Sequence, residues 1–216
     1  MELPLVAMRP VRRLHGYRLA QASGGSPGRQ NPLVAAPPTL ADGVVILNAF
    51  TPADIRAQVE GEDEEQARRF GWYPERSTEE TARTAFEQWE RDWADSGATR
   101  AFAVRDAETG RLIGGCQVRL REKRMAELSY WTFAPHRRRG FARRAVVLAC
   151  RFAFDCLGVD RIEAYVEPDN LASRKVAEKV GFREEGLVRK RELTPRGERR
   201  DMVLYGLLDE DLREKS

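Results

Sequence analysis

The residues that could do chemistry are concentrated in one basic stretch, residues 133–144, with the sequence FAPHRRRGFARR. The pattern predicts a strand that ends in a loop and a helix that begins directly after it. Backbone N–H groups at the start of a helix have no partner within the helix, so they can bind phosphate oxygens. Gly140 and Ala142 allow a ligand to approach the backbone closely, because they have little or no side chain. The positive charge that completes a predicted pyrophosphate site comes from Arg137, Arg138, Arg139, Arg143 and Arg144.

This stretch does not match two other common phosphate-binding loops. No Gly-Lys-Ser or Gly-Lys-Thr follows, as a Walker loop needs, and the GxGxxG of a dinucleotide-binding fold is missing. An arginine-rich run by itself is also typical of a solvated surface or of a nucleic-acid patch. The elements on either side of the loop therefore have to decide between these interpretations.

Those elements predict a mixed α/β fold. Residues 161–167 alternate between apolar and polar, which indicates a half-buried strand, and an apolar helix over 141–157 separates this strand from the loop. A strand–helix–strand unit inside a run of antiparallel strands indicates a mixed sheet. Further strands are expected at 44–48, 101–105, 112–120, 126–133, 182–193 and 199–208, and further helices after Thr51, after the capping-box sequence 77–80 and over 170–180.

In this context the loop resembles that of a known family. The sequence RRRGFA at 137–142 is similar to the (Q/R)xxGx(G/A) acyl-CoA loop of the GNAT N-acetyltransferase superfamily. NLAS at 170–173, followed by Gly-Phe at 181–182, resembles the branch that acetylates ribosomal-protein N-termini (RimJ/RimL-type) and its small-molecule relatives. The resemblance covers about residues 43–210. It implies the GNAT α/β fold, a twisted, mostly antiparallel sheet with a central splayed parallel pair and helices on both faces.

The resemblance also implies acetyl-CoA as the acyl donor and places its contacts residue by residue. The loop amides would hold the pyrophosphate, and the end of the strand before the loop would pair with the pantetheine arm. Asn170 would bind the pantetheine side, and Ser173 would lie near the sulfur. The implied contacts are Trp131, Thr132, Phe133, Arg137, Arg138, Arg139, Gly140, Phe141, Ala142, Arg143, Asn170 and Ser173, without a metal.

The reaction implied by the resemblance is direct attack of a neutral amine on the thioester, which needs a base for the amine and an acid for the thiolate. Many members have a tyrosine seven residues after the asparagine as this acid. Here that position is Ala177, so Ser173 or water is the candidate. Glu127, on the strand that leads to the loop, is the first candidate for the base. The alternatives are Glu163 and Tyr165.

The acceptor has to be a primary amine, of a small molecule or of a protein or peptide N-terminus. An acidic run at 60–65 (EGEDEE) is followed by an aromatic segment at 70–74 (FGWYP), and in relatives this region borders the acceptor site. Acidic and aromatic side chains together would suit a cationic amine such as an aminoglycoside, a polyamine or a peptide N-terminus. A solvated helix end is the alternative interpretation of the same run.

Composition divides the chain into two parts. Residues 1–43 hold six of the eleven prolines and a Ser-Gly-Gly-Ser-Pro-Gly run, which predicts a flexible segment, with the GNAT domain over 44–216. The formal net charge is only +3, the three cysteines form no CxxC pair, and no apolar run reaches the length of a membrane span. We therefore expect a cytoplasmic protein without a disulfide framework, a membrane partner or a dedicated nucleic-acid function.

Three other functions stay open at this point. One is acetylation of an antibiotic amine of the aminoglycoside type. Another is a catalytically silent, CoA-binding regulatory module, because the tyrosine is missing and the base is unproven. The third is an RNA-associated protein that uses the basic segments 137–144 and 189–200. A homodimer is expected only by analogy with relatives.

Overall fold

The structure is a computed structural model that describes residues 36–122 and 124–214. Its strands are β1 (Leu40–Ala41), β2 (Val45–Asn48), β3 (Thr99–Asp106), β4 (Leu112–Leu120), β5 (Met125–Thr132), β6 (Arg161–Val166), β7 (Arg183–Leu193) and β8 (Arg199–Leu207). Its helices are α1 (Ile55–Gly61), α2 (Glu64–Phe70), α3 (Glu79–Ala94), α4 (Phe141–Leu157), α5 (Leu171–Val180) and α6 (Asp209–Glu214).

The eight strands form one sheet with the order β1-β2-β3-β4-β5-β6-β8-β7. Strand β1 lies within the segment 1–43 that composition assigned to a flexible tail, so the sheet begins before residue 44. The rest of that prediction, for residues 1–35, lies outside the described residues. Strand β8 lies between β6 and β7, an order that the sequence pattern did not predict.

All neighbouring strands pair antiparallel except β5 and β6. These two are connected through α4, as a parallel pair requires a crossover, and they pair only where Met125, Ala126 and Glu127 face Arg161, Ile162 and Glu163. Beyond Glu127 the two strands separate in the middle of the sheet. The predicted splayed parallel pair is therefore confirmed.

Helix α4 covers one face of the sheet because it has enough apolar side chains to form a broad apolar stripe. Ala145, Ala149 and Phe152 are buried, and they belong to the same core as Phe102 and Cys116 of the sheet. The helix ends at Gly158, whose φ of 64° is the left-handed conformation that glycine adopts without cost. This face holds the largest core cluster of the described residues.

The opposite face is covered by α1 and α3, so the prediction of helices on both faces is confirmed. Their main contact with the sheet is aromatic: Phe50 packs against Phe86, Trp89 and Trp131, with ring centroids 4.6 to 6.1 Å apart. Helix α3 begins after Thr78, whose hydroxyl accepts a hydrogen bond from the Thr81 N–H. The cap is thus one residue later than the capping box predicted from 77–80.

The turn between β7 and β8 bends back over this second face. A Cβ added to Gly71, at the end of α2, would lie 2.8 Å from the Cβ of Thr194, so the turn and α2 are in close contact. Arg196 in the same turn donates to the Tyr73 carbonyl at 3.4 Å and to Glu75 at 3.1 Å. The turn of the β7–β8 hairpin therefore lies on the same side of the sheet as α2. No helix within the described ranges has the length and apolar character that a bilayer span needs.

Candidate functional site

A cavity of about 120 Å³ lies where β5 and β6 separate. One side of it is lined by residues that belong to α5 or face it, and the other side by the end of α2. Residues from both faces of the sheet line this cavity. The lining residues are Arg69, Phe70, Leu128, Ser129, Tyr130, Ala164, Tyr165, Val166, Glu167, Asn170, Ser173 and Met202.

The start of α4 is an uncapped helix N-terminus. Helices α3 and α5 have side-chain caps, Thr78 and Asn170, whereas the N-cap of α4 is Gly140, without a side-chain hydrogen bond. The φ of Gly140 is 83°, and a Cβ there would meet no atom within 4 Å. Glycine is therefore needed for its conformation, and the space in front of the helix is open. Open N–H groups at the positive end of a 17-residue helix suit an anion such as a pyrophosphate.

The arginines of the loop have different surroundings. Arg137 donates from Nε to the Thr132 carbonyl at 2.9 Å, and its two other nitrogens bind Asp63 at 2.7 and 2.8 Å. Arg137 also binds Glu65 at 3.0 Å, so it fastens the loop to the start of α2. Burial alone would raise the pKa of Asp63, but hydrogen bonds from Arg137 and from a backbone N–H hold that pKa below its ordinary value of 3.8. The contacts of Arg137 thus hold the loop in position, and its charge is paired with Asp63 and Glu65.

The other loop arginines point elsewhere. Arg144 binds Asp42 at 2.8 Å, Arg143 donates to the Lys179 carbonyl at 3.3 Å, and Arg139 lies over the Phe141 ring at 4.8 Å. Arg138 has a φ of 61° and makes no ion pair with the residues that the structure describes. Arg138 and Arg139 thus carry the positive charge that remains beside the open helix end.

Asn170 and Ser173, which the sequence motif singled out, are brought together with a third residue. The Asn170 Oδ1 accepts from the Ser173 N–H at 3.1 Å and caps α5, and both residues line the cavity. The Ser173 hydroxyl lies 2.8 Å from the Tyr130 hydroxyl, which also donates to the Ser173 carbonyl at 3.1 Å. Ala177, at the position where many relatives have the tyrosine, is buried, with 1% of its surface exposed.

Tyr130 is a functional candidate that sequence reasoning missed. Burial raises the pKa of Tyr130, so its hydroxyl keeps its proton near neutral pH. The available signal was its place on β5, where alternation sets it on the opposite face from Ser129. That signal was insufficient, because only the packing of α5 against β5 shows that Ser173 faces this hydroxyl.

At the end of β5, before the loop, the side chains and the backbone have different surroundings. The Trp131 side chain joins the aromatic cluster on the α2 side, and a Cβ added to Gly61 would lie 2.5 Å from the ring of Phe133. Thr132 pairs with Gly114 of β4, and its carbonyl accepts from Arg137. Beyond Glu127, β5 has β4 as its strand partner but no longer β6. This backbone edge, rather than the side chains, is what a pantetheine arm could pair with.

Glu127, the predicted base, is surrounded by arginines. One carboxylate oxygen accepts from Arg119 at 3.3 Å, and the other accepts from Arg121 at 2.5 Å and from Arg191 at 3.4 Å. Glu127 lies on the face of β5 that carries Ser129, because side chains alternate along a strand. Both oxygens therefore already have donors, on the α2 side of the sheet.

The alternative bases lie beside this group on β6. Glu163 accepts from Arg161 at 3.0 Å and from the Tyr165 hydroxyl at 2.9 Å. The guanidinium of Arg191 lies 4.2 Å above the ring of Tyr165, which lines the cavity. The charged side chains around Glu127 thus extend to the cavity through Tyr165.

The acidic run at 60–65 is largely used within the fold. Glu60 binds Arg56 at 2.7 Å, while Asp63 and Glu65 hold Arg137. Glu62 is 1% exposed and accepts three hydrogen bonds. Their donors are the Ser77 N–H, the Ser77 hydroxyl and the Trp72 indole. These contacts involve four of the five acids of the run, and the fifth, Glu64, is exposed.

The far end of α2 is tied to the end of β6. Arg69 binds Glu167 at 2.5 Å and Asp169 at 2.6 Å, and Arg200 of β8 binds Glu167 at 2.8 Å. The Nε–H of Arg69 is buried and has no hydrogen-bond partner among the described residues. Helix α2 therefore bridges the splay from the loop to β6, with one unused donor beside the cavity. The described ranges contain no group of three His, Cys, Asp or Glu side chains placed to hold a metal ion.

Comparison with known proteins is consistent with this geometry. Residues 45–183 match the family model of the acetyltransferase (GNAT) domain. Among curated proteins, the uncharacterized N-acetyltransferase p20 of Bacillus licheniformis is 34% identical over 119 residues, which cover 54% of this chain and 66% of that protein.

Solved structures with the same fold include Mycobacterium smegmatis RimJ in complex with CoA-disulfide, with a TM-score of 0.67 and 26% identity over 83% of this chain and 85% of that one. They also include the ribosomal-protein-S5-alanine acetyltransferase of Vibrio fischeri, with a TM-score of 0.67 and 21% identity over 81% of this chain and 98% of that one. The alignments to the first two curated relatives span 66% and 51% of their length.

Proposed function

The chain belongs to the GNAT acetyltransferase family, and from this premise we propose that it transfers the acetyl group of acetyl-CoA to a primary amine, in the first place a protein or peptide N-terminus. The observation that carries the proposal is the cavity between β5 and β6, which is lined by residues from both faces of the sheet. In this proposal the two reactants meet in it, one from each face. We name its α5 side the donor side and its α2 side the acceptor side.

The donor side fits acetyl-CoA. The open N-terminus of α4, with Arg138 and Arg139 beside it, suits the pyrophosphate, and Asn170 and Ser173 lie where the cavity begins. The acetyl group of the thioester would lie in the cavity of about 120 Å³ beside them. Acetyl-CoA supplies an activated thioester.

On the acceptor side the amine nitrogen attacks the thioester carbonyl carbon. The carbon–sulfur bond breaks, the acetyl group goes to nitrogen, and a proton leaves the nitrogen for a base. Glu127 remains our candidate base, with a water between it and the amine, since both of its oxygens already accept from arginines. Glu163 and Tyr165 are the alternatives on the neighbouring strand.

The leaving thiolate takes its proton from the Ser173 hydroxyl in this proposal. Tyr130 stands behind Ser173, with the two hydroxyl oxygens 2.8 Å apart, and orients the Ser173 hydroxyl, whose oxygen regains its proton from solvent. Tyr130 is thus a positioning residue that acts through Ser173. The pair takes over the role that a tyrosine at position 177 has in many relatives.

The test combines binding and turnover. Calorimetric titration with acetyl-CoA is expected to show micromolar binding, and peptides with a free N-terminal Ser or Ala are expected to gain one acetyl group each, read by mass spectrometry. The same peptides with a blocked N-terminus are the control. Binding without acetylation of any amine would support a silent CoA-binding module, and failure to bind acetyl-CoA would remove the proposal.

Glu127→Gln sharpens the assignment of the base. If Glu127 is the base, kcat falls by about 100-fold while KM for the peptide changes little. If Glu127 only holds the arginines in place, KM rises and kcat changes little.

A further inference from the structure

The wall of the cavity contains a single carboxylate among the described residues, that of Glu167. Its side chain is 14% exposed, and one oxygen accepts from Arg69 at 2.5 Å while the other accepts from Arg200 at 2.8 Å. The two oxygens of a carboxylate offer about four acceptor sites, so the arginines leave about half of them unused. Glu167 is therefore the carboxylate that a cation in the cavity can reach.

Arg69, next to Glu167 in the cavity wall, has a donor without an acceptor. Both of its ion pairs, with Glu167 and with Asp169, are made by one nitrogen, Nη1. Its Nε–H is buried and has no hydrogen-bond partner among the described residues. A buried N–H without an acceptor costs free energy, and a carbonyl oxygen supplied by a ligand would remove that cost.

The ion pairs around these two residues are balanced in charge. The network contains three basic and three acidic side chains: Arg68, Arg69, Arg200, Glu167, Asp169 and Glu198. Recognition by Glu167 and Arg69 therefore depends on the position of their unused acceptor and donor atoms, and not on a surplus of either charge.

The spacing of these atoms fits one kind of amine. Nη1 of Arg69 contacts Glu167, and Nε of the same guanidinium is only two bonds away from Nη1, so the free donor and the carboxylate are neighbours. In the first residue of a peptide the amine nitrogen and the carbonyl oxygen are three bonds apart, or about 3 Å. The α-amine, with an ordinary pKa of about 8, is mostly an ammonium at neutral pH, and an ammonium needs an anionic acceptor.

We propose that Glu167 binds the ammonium of the acceptor and that the Nε–H of Arg69 binds the carbonyl oxygen of the same residue. The pair thereby selects an α-amine, one carbon away from a carbonyl, as in a peptide or protein N-terminus. The ε-amine of a lysine side chain, a polyamine and an aminoglycoside have no carbonyl at this distance. This inference rests on the proposed function and names its substrate class, and the proton of the bound ammonium still goes to the base described above.

The experiment compares three acceptor peptides by kcat/KM per neutral amine, because their amines differ in basicity. The first is Ser-Ala-Ala-Ala-Ala, and the second is β-Ala-Ala-Ala-Ala-Ala, with Ala-Ala-Ala-Ala-Ala as its α-amine counterpart of the same side-chain size. In β-alanine the amine lies one carbon further from the carbonyl and the charge is unchanged. The wild-type protein is expected to prefer the alanine peptide over the β-alanine peptide by about tenfold, mostly in KM.

Variants assign the preference to the Nε–H. Arg69→Gln is expected to bring the alanine and β-alanine peptides to within about twofold of each other. Arg200→Gln removes the other arginine that binds Glu167 but no donor at the cavity, so it should raise KM for both peptides and keep their ratio. Glu167→Gln is expected to raise KM for every amine by about tenfold with little change in kcat.

Arg68→Gln is the matched control for Arg69→Gln, because it makes the same charge change on the exposed neighbouring residue of α2. It is expected to leave the preference as in the wild type. The preference is a ratio of two substrates measured on the same protein sample, so a partly unfolded variant lowers both rates alike and leaves the ratio unchanged.

The outcomes separate this inference from the proposed function. Equal kcat/KM for the alanine and β-alanine peptides in the wild type would overturn the selection of an α-amine and leave the acetyltransferase function intact. Loss of the preference in Arg68→Gln or Arg200→Gln as well as in Arg69→Gln would overturn the role of the Arg69 Nε–H. Acetylation of none of the three peptides, although acetyl-CoA binds, would count against the proposed function itself.

Discussion

The donor side is formed by two short segments, residues 137–144 and 170–173, together with Tyr130, whereas the acceptor side takes one or two side chains from each of six elements. Those elements are α2, β4, β5, β6, β7 and β8, and they contribute Arg69, Arg119, Glu127, Glu163, Tyr165, Arg191 and Arg200. The donor side relies on backbone geometry at helix starts, which a short motif encodes. The acceptor side relies on ion pairs between residues far apart in the chain, so two proteins with the same donor side can differ completely in acceptor.

The chemistry of the two sides also differs in where charge is held. At the donor side the open α4 N-terminus leaves backbone dipoles uncompensated, with no side-chain cap. At the acceptor side carboxylates and guanidiniums are already paired with each other, as Glu127 is with three arginines. A substitution within one side should therefore affect that side first, whereas one at a contact between the sides should affect both.

The largest effect is expected from Gly140→Asp. The space around this Cβ is open, although the φ of 83° strains any side chain there, and the new carboxylate places negative charge where the pyrophosphate is proposed to bind. Calorimetry is expected to show a Kd for acetyl-CoA about 100-fold higher, or about 2.7 kcal/mol. The isosteric Gly140→Asn, which also tolerates a positive φ, should raise that Kd only a few fold. An equal loss in both variants would mean that backbone conformation, and not charge, is what matters here.

Tyr130→Phe and Ser173→Ala act at the boundary between the two sides. Each is expected to lower kcat by about 30-fold with little change in the Kd of acetyl-CoA, because the thiolate loses its proton source but not its binding contacts. The double variant should be no slower than Ser173→Ala, since Tyr130 acts through Ser173. Stopped-flow measurement of thiol release gives kcat directly. Additive losses in the double variant would show that the two hydroxyls act independently.

The α4 face is expected to be the alkali-sensitive one. Burial raises the pKa of Cys116 from 9.0 to about 12 and that of Cys150 well above 9.0. Above the ordinary value the unfolded chain loses these protons while the folded chain keeps them, so the free energy of unfolding falls as pH rises. The loss is about 1.4 kcal/mol per thiol at about pH 10. Burial also raises the pKa of Cys156 to about 11. Urea denaturation at about pH 8 and about pH 10, under reducing conditions, measures the loss, and Cys150→Ala should remove about a third of the part that comes from the three thiols.

The smallest effect is expected where the two sides are joined. Arg137→Gln frees Asp63 and Glu65 at the start of α2, so both the Kd of acetyl-CoA and the KM of a peptide should rise by about fivefold. Arg144→Gln removes the same charge from the first turn of α4. In the wild type Arg144 binds Asp42, away from α2. It should change acetyl-CoA binding alone. A change in peptide KM in both variants would show that loop charge, rather than the contact with α2, sets acceptor binding.

Much of the fold could be predicted from the sequence because its signals are local. The range predicted for α4, 141–157, is the range observed, since an apolar helical pattern between Gly140 and Gly158 defines both of its ends. The strand predicted at 161–167 is β6, for which the apolar and polar alternation was clear. The start of α3 was placed one residue early, because Ser77 and Thr78 are equally good caps and only the contact of Ser77 with Glu62 decides between them.

The candidate site could be predicted only in part. The residues of the donor side were named from two motifs, and the structure places Asn170 and Ser173 together at the cavity. Tyr130 was missed, because no spacing relates it to Ser173, 43 residues further along the chain. Arg137 was expected at the phosphate, whereas its ion pairs with Asp63 and Glu65 bridge more than 70 residues.

By itself, then, the sequence determined most strands and helices and the resemblance to the family, because periodicity and capping act over a few residues. It marked the glycine before α4 as part of a candidate site for the donor, and it did not predict β1, α2 or α6. Only the tertiary structure decided the position of β8 between β6 and β7, the Tyr130–Ser173 pair, and the three arginines around Glu127. The physical reason is that a charge on the surface can pair with any opposite charge that the chain brings near it. Which charges meet depends on how the strands are ordered and how the hairpin bends.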